Sequence, residues 1–298
     1  MNLMRYKATW FGISGIIVLP GIIFLTLYGL NLGIDFTGGS LLEERIGRSA
    51  TTAEVAKSVT DSGVGVSSVA KTSAETYQIR TRPVDRDQVN KIQNKLTSDF
   101  GSAELVRLET VGPTIGAELV QKAILALVLA SVFIVLYIAW SFRSVPPPAN
   151  SFRFGIAAIA ALLHDVLVVV GLFSIFGKLW HVEIDSLFIT ALLTIIGFSV
   201  HDTIVVFDRI RENLRRHPEV SFTEVANESL LQTLVRSLST SFTVVLTLLA
   251  VLLLVGSVSE QLKWFVIALL IGIVSGTYSS IFNATPLLVL WQERRSPK

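Results

Sequence analysis

The sequence predicts an α-helical membrane protein with six transmembrane helices and one small α+β domain of ferredoxin-like order. Of its 298 residues, 51% are hydrophobic and only 16% are charged, whereas a soluble globular domain carries about 25% charged residues. The mean hydropathy is correspondingly high, at +0.61. The apolar residues are concentrated in six long segments, and residues 31–120 separate the first segment from the other five.

The first span lies within residues 1–30. Its apolar run extends from Trp10 to Leu30 without a charged residue, which is long enough to cross about 30 Å of hydrocarbon. The run is too long for a removed signal peptide and lacks a small-residue cleavage site at its end, so we interpret it as a permanent helix. The later spans are predicted at roughly 121–141, 154–176, 186–207, 238–256 and 264–291.

Residues 31–120 have the pattern of a ferredoxin-like domain. GIDFTGGSLLEERI is predicted as a strand, and the next run begins with a capping box at Thr51 and Glu54 and ends at Gly63, which indicates a helix. VGVSSVAKT and TYQIRT alternate around a short turn and predict a hairpin. A second helix capped by Asp85 and the strand SAELVRLETV follow. The order β-α-β-β-α-β is that of a split βαβ unit.

Residues 121–298 are predicted to form a five-helix transmembrane domain with short connections, except for a cytoplasmic loop at 208–235. This loop is charged, is broken at Pro218 and resumes at Ser221, a predicted helix cap. We interpret it as two short interfacial helices. The motif SVPPPAN, residues 144–150, is predicted to be a stiff cytoplasmic turn.

The distribution of Lys and Arg beside the spans predicts the orientation in the membrane. Only Lys178 and Lys263 lie in the short loops on one side. The flanks on the other side contain twelve basic residues: Arg5, Lys7, Arg143, Arg153, Arg209, Arg211, Arg215, Arg216, Arg236, Arg294, Arg295 and Lys298. We therefore expect a multi-pass plasma-membrane protein with both termini in the cytoplasm and residues 31–120 outside.

Ionisable residues lie inside the predicted spans, where each costs about 2.5 kcal/mol or more. Asp165 lies near the middle of the third span and Asp202 lies deep in the fourth, and each follows a histidine, His164 and His201. Arg236 begins the fifth span. A series of hydroxyl residues follows it: Ser237, Ser239, Thr240, Ser241, Thr243 and Thr247.

This pattern predicts a proton-relay site with Asp202, Arg236, His201, Asp165 and His164 as its members. Burial favours the neutral form of a carboxyl group and a nearby Arg favours the charged form, so an Asp that an Arg can approach or leave can exchange a proton. Structural alternatives are also open. Asp165 can be a permanently protonated, hydrogen-bonded acid, Arg236 can extend to lipid headgroups, and the hydroxyl groups can serve helix packing.

The sequence suggests no cofactor, metal or nucleic acid. Cysteine is absent, so disulfides and Cys-based metal or nucleophile chemistry are not available. The net charge of +2 gives no indication of nucleic-acid binding. Gly272 and Gly276 place a GxxxG face on the sixth span. We expect this helix-packing face to be exposed to a second membrane chain.

Five motifs, in order along the chain, resemble the SecD/SecF family of protein-export membrane proteins, and in particular its smaller half. They are GIDFTGG (33–39), HD (164–165), GFSVHDTIVVFDRIREN (197–213), QTLVRSLSTS (232–241) and GTYSSIFNATPLL (276–288). The family is part of the resistance-nodulation-division (RND) superfamily. The resemblance therefore implies that the six helices are half of an RND-type bundle.

The resemblance implies a subunit that works with SecD and uses the proton motive force to promote export of polypeptides after they enter the SecY channel. The implied partners are SecD, the SecY channel complex, the unfolded polypeptide in transit, protons and membrane lipid. Asp202 is implied as the proton-carrying acid and Arg236 as its partner, although the family motif often has Asn at the position of His201. GIDFTGG lacks the Lys of a phosphate loop, so we interpret it as an entry strand that bends at Gly38 and Gly39.

Two other classes of function are open. A proton-coupled RND-type exporter of small solutes or lipids shares the plan, but such chains carry about twelve spans, so a half-sized chain predicts a partner of the same architecture. An intramembrane protease needs two acids within hydrogen-bond reach and a GxGD signature, a context that neither Asp165 nor Asp202 has. We therefore predict that the protein is not an enzyme. A purely structural scaffold leaves Asp202 unexplained.

Overall fold

The structure is a computed structural model that describes residues 2–143, 145–146, 150–255 and 259–294. The chain divides into two compact units. The first comprises Met1–Asn31 and Leu125–Lys298, and the second comprises Leu32–Ile124. Part of the motif SVPPPAN lies outside the described residues, as do Arg295 and Lys298 from the predicted cytoplasmic flank.

The first unit begins with a 3₁₀ turn at Met4–Tyr6 and the membrane helix α1, Lys7–Tyr28. Helix α1 contains no charged residue between Trp10 and its end. It stops at Gly29, whose φ of 69° is accessible to glycine and whose amide donates to the carbonyl of Leu25. The predicted first span is therefore a helix with an identifiable end.

The second unit is an antiparallel sheet packed against helices, and it confirms the predicted ferredoxin-like class. The strand order is β2-β3-β1-β4. Its elements are α2 (Ile34–Thr37), β1 (Gly39–Ile46), α3 (Thr52–Asp61), β2 (Val66–Lys71), β3 (Thr76–Thr81), α4 (Arg86–Phe100) and β4 (Ala103–Val111).

Local sequence signals set the boundaries of these elements. The capping box at Thr51 is present at the start of α3, and Asp85 forms a second one with Gln88 at the start of α4. The predicted strand GIDFTGGSLLEERI is wrong in its first half, because Ile34–Thr37 forms a helical turn. Gly38 and Gly39, with φ of 71° and 130°, then turn the chain into β1.

The six predicted spans are confirmed as helices among the described residues that are long and apolar enough to cross a membrane. The remaining five follow β4. They are α5 (Pro113–Ser141), α6 (Ser151–Trp180), α7 (Ser186–Arg216), α8 (Phe222–Val255) and α9 (Glu260–Ser279), which continues through a π-helical turn (Ser280–Ala284) into α10 (Thr285–Glu293). Asp185 caps α7 by accepting from the amide of Phe188.

The prediction of two short interfacial helices in 208–235 is wrong. Helix α7 continues to Arg216 and α8 begins at Phe222, so both membrane helices extend through most of this charged stretch. The extensions persist because their inner faces remain apolar and buried, for example at Ile210 and Leu230. The low hydropathy of residues 208–235 therefore comes from the charged outer faces of the two helices, not from an end of either helix.

Helices α1 and α6 cross with their backbones in contact. A Cβ atom added to Gly21 would lie 2.8 Å from the Cα of Gly171, so neither position has room for a side chain. Nearby, the Ser174 hydroxyl donates to the Gly29 carbonyl at 2.6 Å. Close approach at small residues is a common way for membrane helices to associate, because lipid provides no hydrophobic driving force between them.

Glu44 is a charged residue at a core position of the second unit. It lies on the same face of β1 as Leu42 and Ile46, and its side chain is fully buried. Its partner across the sheet is Tyr77, whose hydroxyl is bonded to Ala50. Neither carboxylate oxygen of Glu44 has a hydrogen-bond partner among the described residues. Burial raises the pKa of Glu44 from its usual 4.5 to about 7.

The raised pKa predicts that the second unit loses stability as the pH rises. The folded unit binds the Glu44 proton more tightly than the unfolded chain, so between pH 4.5 and about 7 stability falls progressively, by up to about 3 kcal/mol. Glu44→Leu should remove this dependence and should be the more stable protein at pH 8.

Hydrogen exchange of the β1 and β3 amides in the full-length protein, corrected for intrinsic exchange rates, measures this effect at pH 5.5 and pH 8. Glu43→Leu, at the adjacent position on the opposite face of β1, is the matched control. An equal pH dependence in wild type and Glu44→Leu would contradict the assignment to Glu44.

Candidate functional site

Two buried carboxyl groups lie in the membrane helices, Asp165 on α6 and Asp202 on α7. Their side chains are 0% and 3% exposed, respectively. Burial of a carboxyl group is costly unless hydrogen bonds or an opposite charge compensate for it. Asp165 and Asp202 differ in how many close hydrogen-bond partners compensate for their burial.

Asp165 is fully hydrogen-bonded. Its Oδ1 accepts from the hydroxyl of Ser275 at 2.7 Å and lies 3.0 Å from Nδ1 of His164. Its Oδ2 accepts from Ser199 and Ser279, both at 2.6 Å. The partners come from α6, α7 and α9. One carboxyl group thus joins three membrane helices.

Two glycines allow α9 to approach α7 at this point. A side chain at Gly272 would collide with Ile195, and a Cβ atom at Gly276 would lie 3.2 Å from the Cα of Ser199. Both glycines are buried. The expectation that this GxxxG face is exposed to a second membrane chain is therefore wrong, because α7 of the same chain already covers it.

Asp202 is only weakly bonded. The hydroxyl of Ser241 on α8 donates to its Oδ2 at 3.5 Å, at the long limit for a hydrogen bond. Ser241 lies much closer to the hydroxyl of Thr277 on α9, at 2.5 Å. The carboxyl group of Asp202 therefore retains unused acceptor capacity inside the helix bundle.

The structure does not bring Arg236 to Asp202. The side chain of Arg236 is exposed on α8, and no ion pair joins it to Asp202 among the described residues. His201 is also exposed. His164, in contrast, lies against Asp165, and its Nε2 is buried without a hydrogen-bond partner in the described part of the chain. The structure thus does not bring the five predicted relay residues together: His164 lies against the buried Asp165, Asp202 is buried beside Ser241, and Arg236 and His201 are exposed.

The hydroxyl series after Arg236 divides by helix face. Only Ser237 and Ser241 are buried. The exposed members are Ser239, Thr240, Thr243 and Thr247, and the last three donate to the carbonyl four residues earlier. Such back-bonding satisfies an isolated hydroxyl in an apolar helix.

Sequence reasoning missed the hydroxyl partners of Asp165. Ser275 and Ser279 are four residues apart and therefore share a face of α9. A polar pair at this spacing in an apolar span is a signal that could have identified them. Ser199 offered no comparable signal, because its role depends on packing between helices. No group of three or more possible metal ligands occurs among the described residues.

Comparisons with known proteins give consistent matches. A family model described as the SecD/SecF GG motif matches residues 23–43. A second, described as protein export membrane protein SecD/SecF, C-terminal, matches residues 91–294.

Similar proteins include a protein translocase subunit SecF from Thermobaculum terrenum, 48% identical over 99% of this chain and 95% of the relative. Protein translocase subunit SecDF of Bacillus subtilis is 35% identical over 97% of this chain but only 38% of the relative. The crystal structure of SecDF from Thermus thermophilus, a translocon-associated membrane protein, superposes with a TM-score of 0.85 and 32% identity. That match covers 99% of this chain and 39% of the longer chain.

The hydrogen bonds of Asp165 predict a large loss of stability when its carboxyl group is removed. Asp165→Ala should lower the free energy of unfolding by about 3 kcal/mol or more, because it leaves several buried polar groups without partners. The control is Asp202→Ala, the same substitution at a buried but weakly bonded position. Unfolding in mild detergent measures both, and equal losses would contradict the difference between the two sites.

Proposed function

The chain belongs to the SecD/SecF family of protein-export membrane proteins, and from that premise we propose that it is a proton-driven subunit of the protein-translocation machinery. With SecD, it uses the proton motive force to promote export of polypeptides after they enter the SecY channel. The names of its relatives, which are translocase subunits, favour this function over export of small solutes or lipids.

The single observation that carries the proposal is the environment of Asp202. This carboxyl group is buried in the helix bundle but has one long hydrogen bond, in contrast to Asp165 with its four close partners. A carboxyl group with spare acceptor capacity can gain or lose a proton when its surroundings change. Movement of one charge through the membrane potential provides about 2.3 kcal/mol per 100 mV, which is available to drive a conformational cycle.

We assign Arg236 the role of stabilising the charged form of Asp202 in another state of the cycle. Arg236 precedes Ser241, the neighbour of Asp202, by a rise of about 7.5 Å along α8, and it points to a different face of that helix. Its approach therefore requires movement of α8, not only a different rotamer. Protonation of Asp202 is in this way coupled to helix movement.

The other three residues have different parts in the proposal. His201 lies next to Asp202 in the sequence, and its charge would influence proton uptake. The hydrogen bonds of Asp165 favour a structural role for this residue and for His164. Their participation in the relay stays a prediction, which proton-driven export by Asp165→Asn and His164→Gln variants would test.

The partner and the orientation are also proposed. The SecDF relatives contain a region like this chain within a protein more than twice as long, which supports SecD as the partner of this chain. Helices α1, α5 and α8 present long apolar surfaces that are exposed in the single chain, where lipid or a second membrane chain can pack. The distribution of Lys and Arg supports cytoplasmic termini and residues 31–120 outside.

The proposed orientation predicts the accessibility of introduced cysteines. The chain contains no cysteine, and Ser73 and Ser221 are both exposed. A membrane-impermeant thiol reagent should modify Ser73→Cys in intact cells and Ser221→Cys only after permeabilisation. Because both side chains are exposed, a difference in labelling reports the side of the membrane, and the reverse pattern would overturn the orientation.

The proposed mechanism predicts that a permanently neutral group at position 202 stops proton-driven export. Asp202→Asn removes the titratable group but keeps size and hydrogen bonding, so the protein should remain folded. Asp202→Glu should retain part of the activity. Arg236→Ala should abolish coupling, and Arg236→Lys should be strongly impaired, because an ammonium group lacks the planar fork of guanidinium.

The measurement is export of a reporter held in mid-transit, with and without an uncoupler, in membranes that contain each variant at equal abundance. Asp208→Asn is the matched control, since Asp208 is an exposed carboxylate on the same helix, paired with Arg211. Wild-type uncoupler-sensitive export by Asp202→Asn would return this residue to a structural role.

A further inference from the structure

Helix α8 carries a hydroxyl group at every fourth position of its buried face. We refer to Ser229, Thr233, Ser237 and Ser241 as the hydroxyl ladder. All four are 8% exposed or less. Residues four apart lie one above another on a helix, so the ladder forms a single line along α8. It rises about 6 Å per step and about 18 Å in total.

The two ends of the ladder reach different polar groups. At one end, Ser241 contacts both Asp202 and Thr277. At the other end, the side-chain amide of Asn213 donates to the hydroxyl of Ser229 at 2.9 Å. The same amide donates to Gln232 at 3.0 Å, and Gln232, which is exposed, also accepts from Arg209. The ladder thus extends from the neighbourhood of the Asp202 carboxyl group toward the protein surface.

Ser237 differs from the rest of the ladder. Its side chain is 2% exposed, and its hydroxyl has no hydrogen-bond partner among the described residues. Ser229 and Thr233 donate to backbone carbonyls of α8, and Ser241 is bonded to Thr277. A buried hydroxyl without a partner destabilises the folded protein, so its presence needs an explanation. Ser237 occupies the step next to Ser241.

The chemistry of this line suits proton transfer. A hydroxyl group can accept one hydrogen bond and donate another. Successive side chains are about 6 Å apart, so direct bonds cannot form between them, and one water molecule is needed at each step. The residues four and eight positions after Asp202 on α7 are Val206 and Ile210, and both are buried and apolar. These apolar side chains offer no polar group to hold water, so in the proposal water enters the ladder when α8 moves.

We propose that the hydroxyl ladder conducts protons between Asp202 and the surface near Asn213, and that Ser237 is the relay residue next to the acid. The proposal rests on the proposed function, in which Asp202 carries a proton. The Asp202 carboxylic acid transfers its proton to the nearest water. Each water or hydroxyl then accepts one proton and releases its own to the next. The last water leaves as hydronium and Asp202 remains a carboxylate, so charge and atoms balance and no electrons move.

Two substitutions of similar shape at position 237 test the proposal. Thr and Val are both β-branched and have nearly the same volume, but only Thr keeps the hydroxyl. In membranes that contain the full chain with its partner, Ser237→Val should slow uncoupler-sensitive export by about tenfold or more. Ser237→Thr should remain within about twofold of wild type. The same pair at Ser239, which is exposed on α8, is the control and should have no effect.

A solvent isotope effect separates proton transfer from packing. If delivery of the proton becomes limiting in Ser237→Val, its export should slow further in D2O than that of wild type or Ser237→Thr. Equal slowing by Thr and Val would indicate packing and overturn the proposal. Wild-type export by Ser237→Val would also overturn it. If Ser237→Val exports like wild type but Asp202→Asn does not, the ladder is ruled out and the proposed function stands. If Asp202→Asn also exports like wild type, the proposed function is ruled out as well.

Discussion

The four close contacts of Asp165 determine how the membrane unit is held together. They fix α6, α7 and α9 relative to one another at a buried point where lipid cannot replace a lost hydrogen bond. Gly272 and Gly276 have no side chains, so α9 can approach α7 closely and bring its hydroxyl groups to Asp165. Because each oxygen of the carboxyl group has two close polar partners, this cluster holds the three helices firmly in place.

Near Asp202, helix α8 is held to the other membrane helices much more weakly than α6, α7 and α9 are held to one another at Asp165. Around Asp202, its contacts are the 3.5 Å bond from Ser241 and the bond between Ser241 and Thr277. Its outer face is largely exposed, and Arg236 lies on that side. The part of α8 near Asp202 has one firm polar contact, so it can move at a lower cost than a helix segment held by four. The same membrane unit therefore contains one carboxyl group with four close partners and one with a single long hydrogen bond, and the proposed proton-driven cycle depends on this difference.

Features that depend on local sequence could be predicted, and those that depend on tertiary packing could not. The caps at Thr51, Asp85 and Asp185 and the apolar spans follow from short-range rules. The burial of Glu44 could not be predicted from the sequence, because one charged residue in a strand does not show which face of the sheet the helices cover. The hydroxyl partners of Asp165 and the inward direction of the GxxxG face likewise depend on which helices become neighbours.

The contact between Gly21 and Gly171 has a consequence for biosynthesis. The two glycines that let α1 and α6 touch are separated by the whole second unit and by α5. At about 5–20 residues per second, the ribosome reaches Gly171 roughly 8–30 s after Gly21. During that interval α1 lacks its contact with α6, so it must be stable in lipid without that contact. From Trp10 to its end α1 is uncharged and strongly apolar, which meets that requirement, so α1 can remain in the membrane before α6 is synthesised.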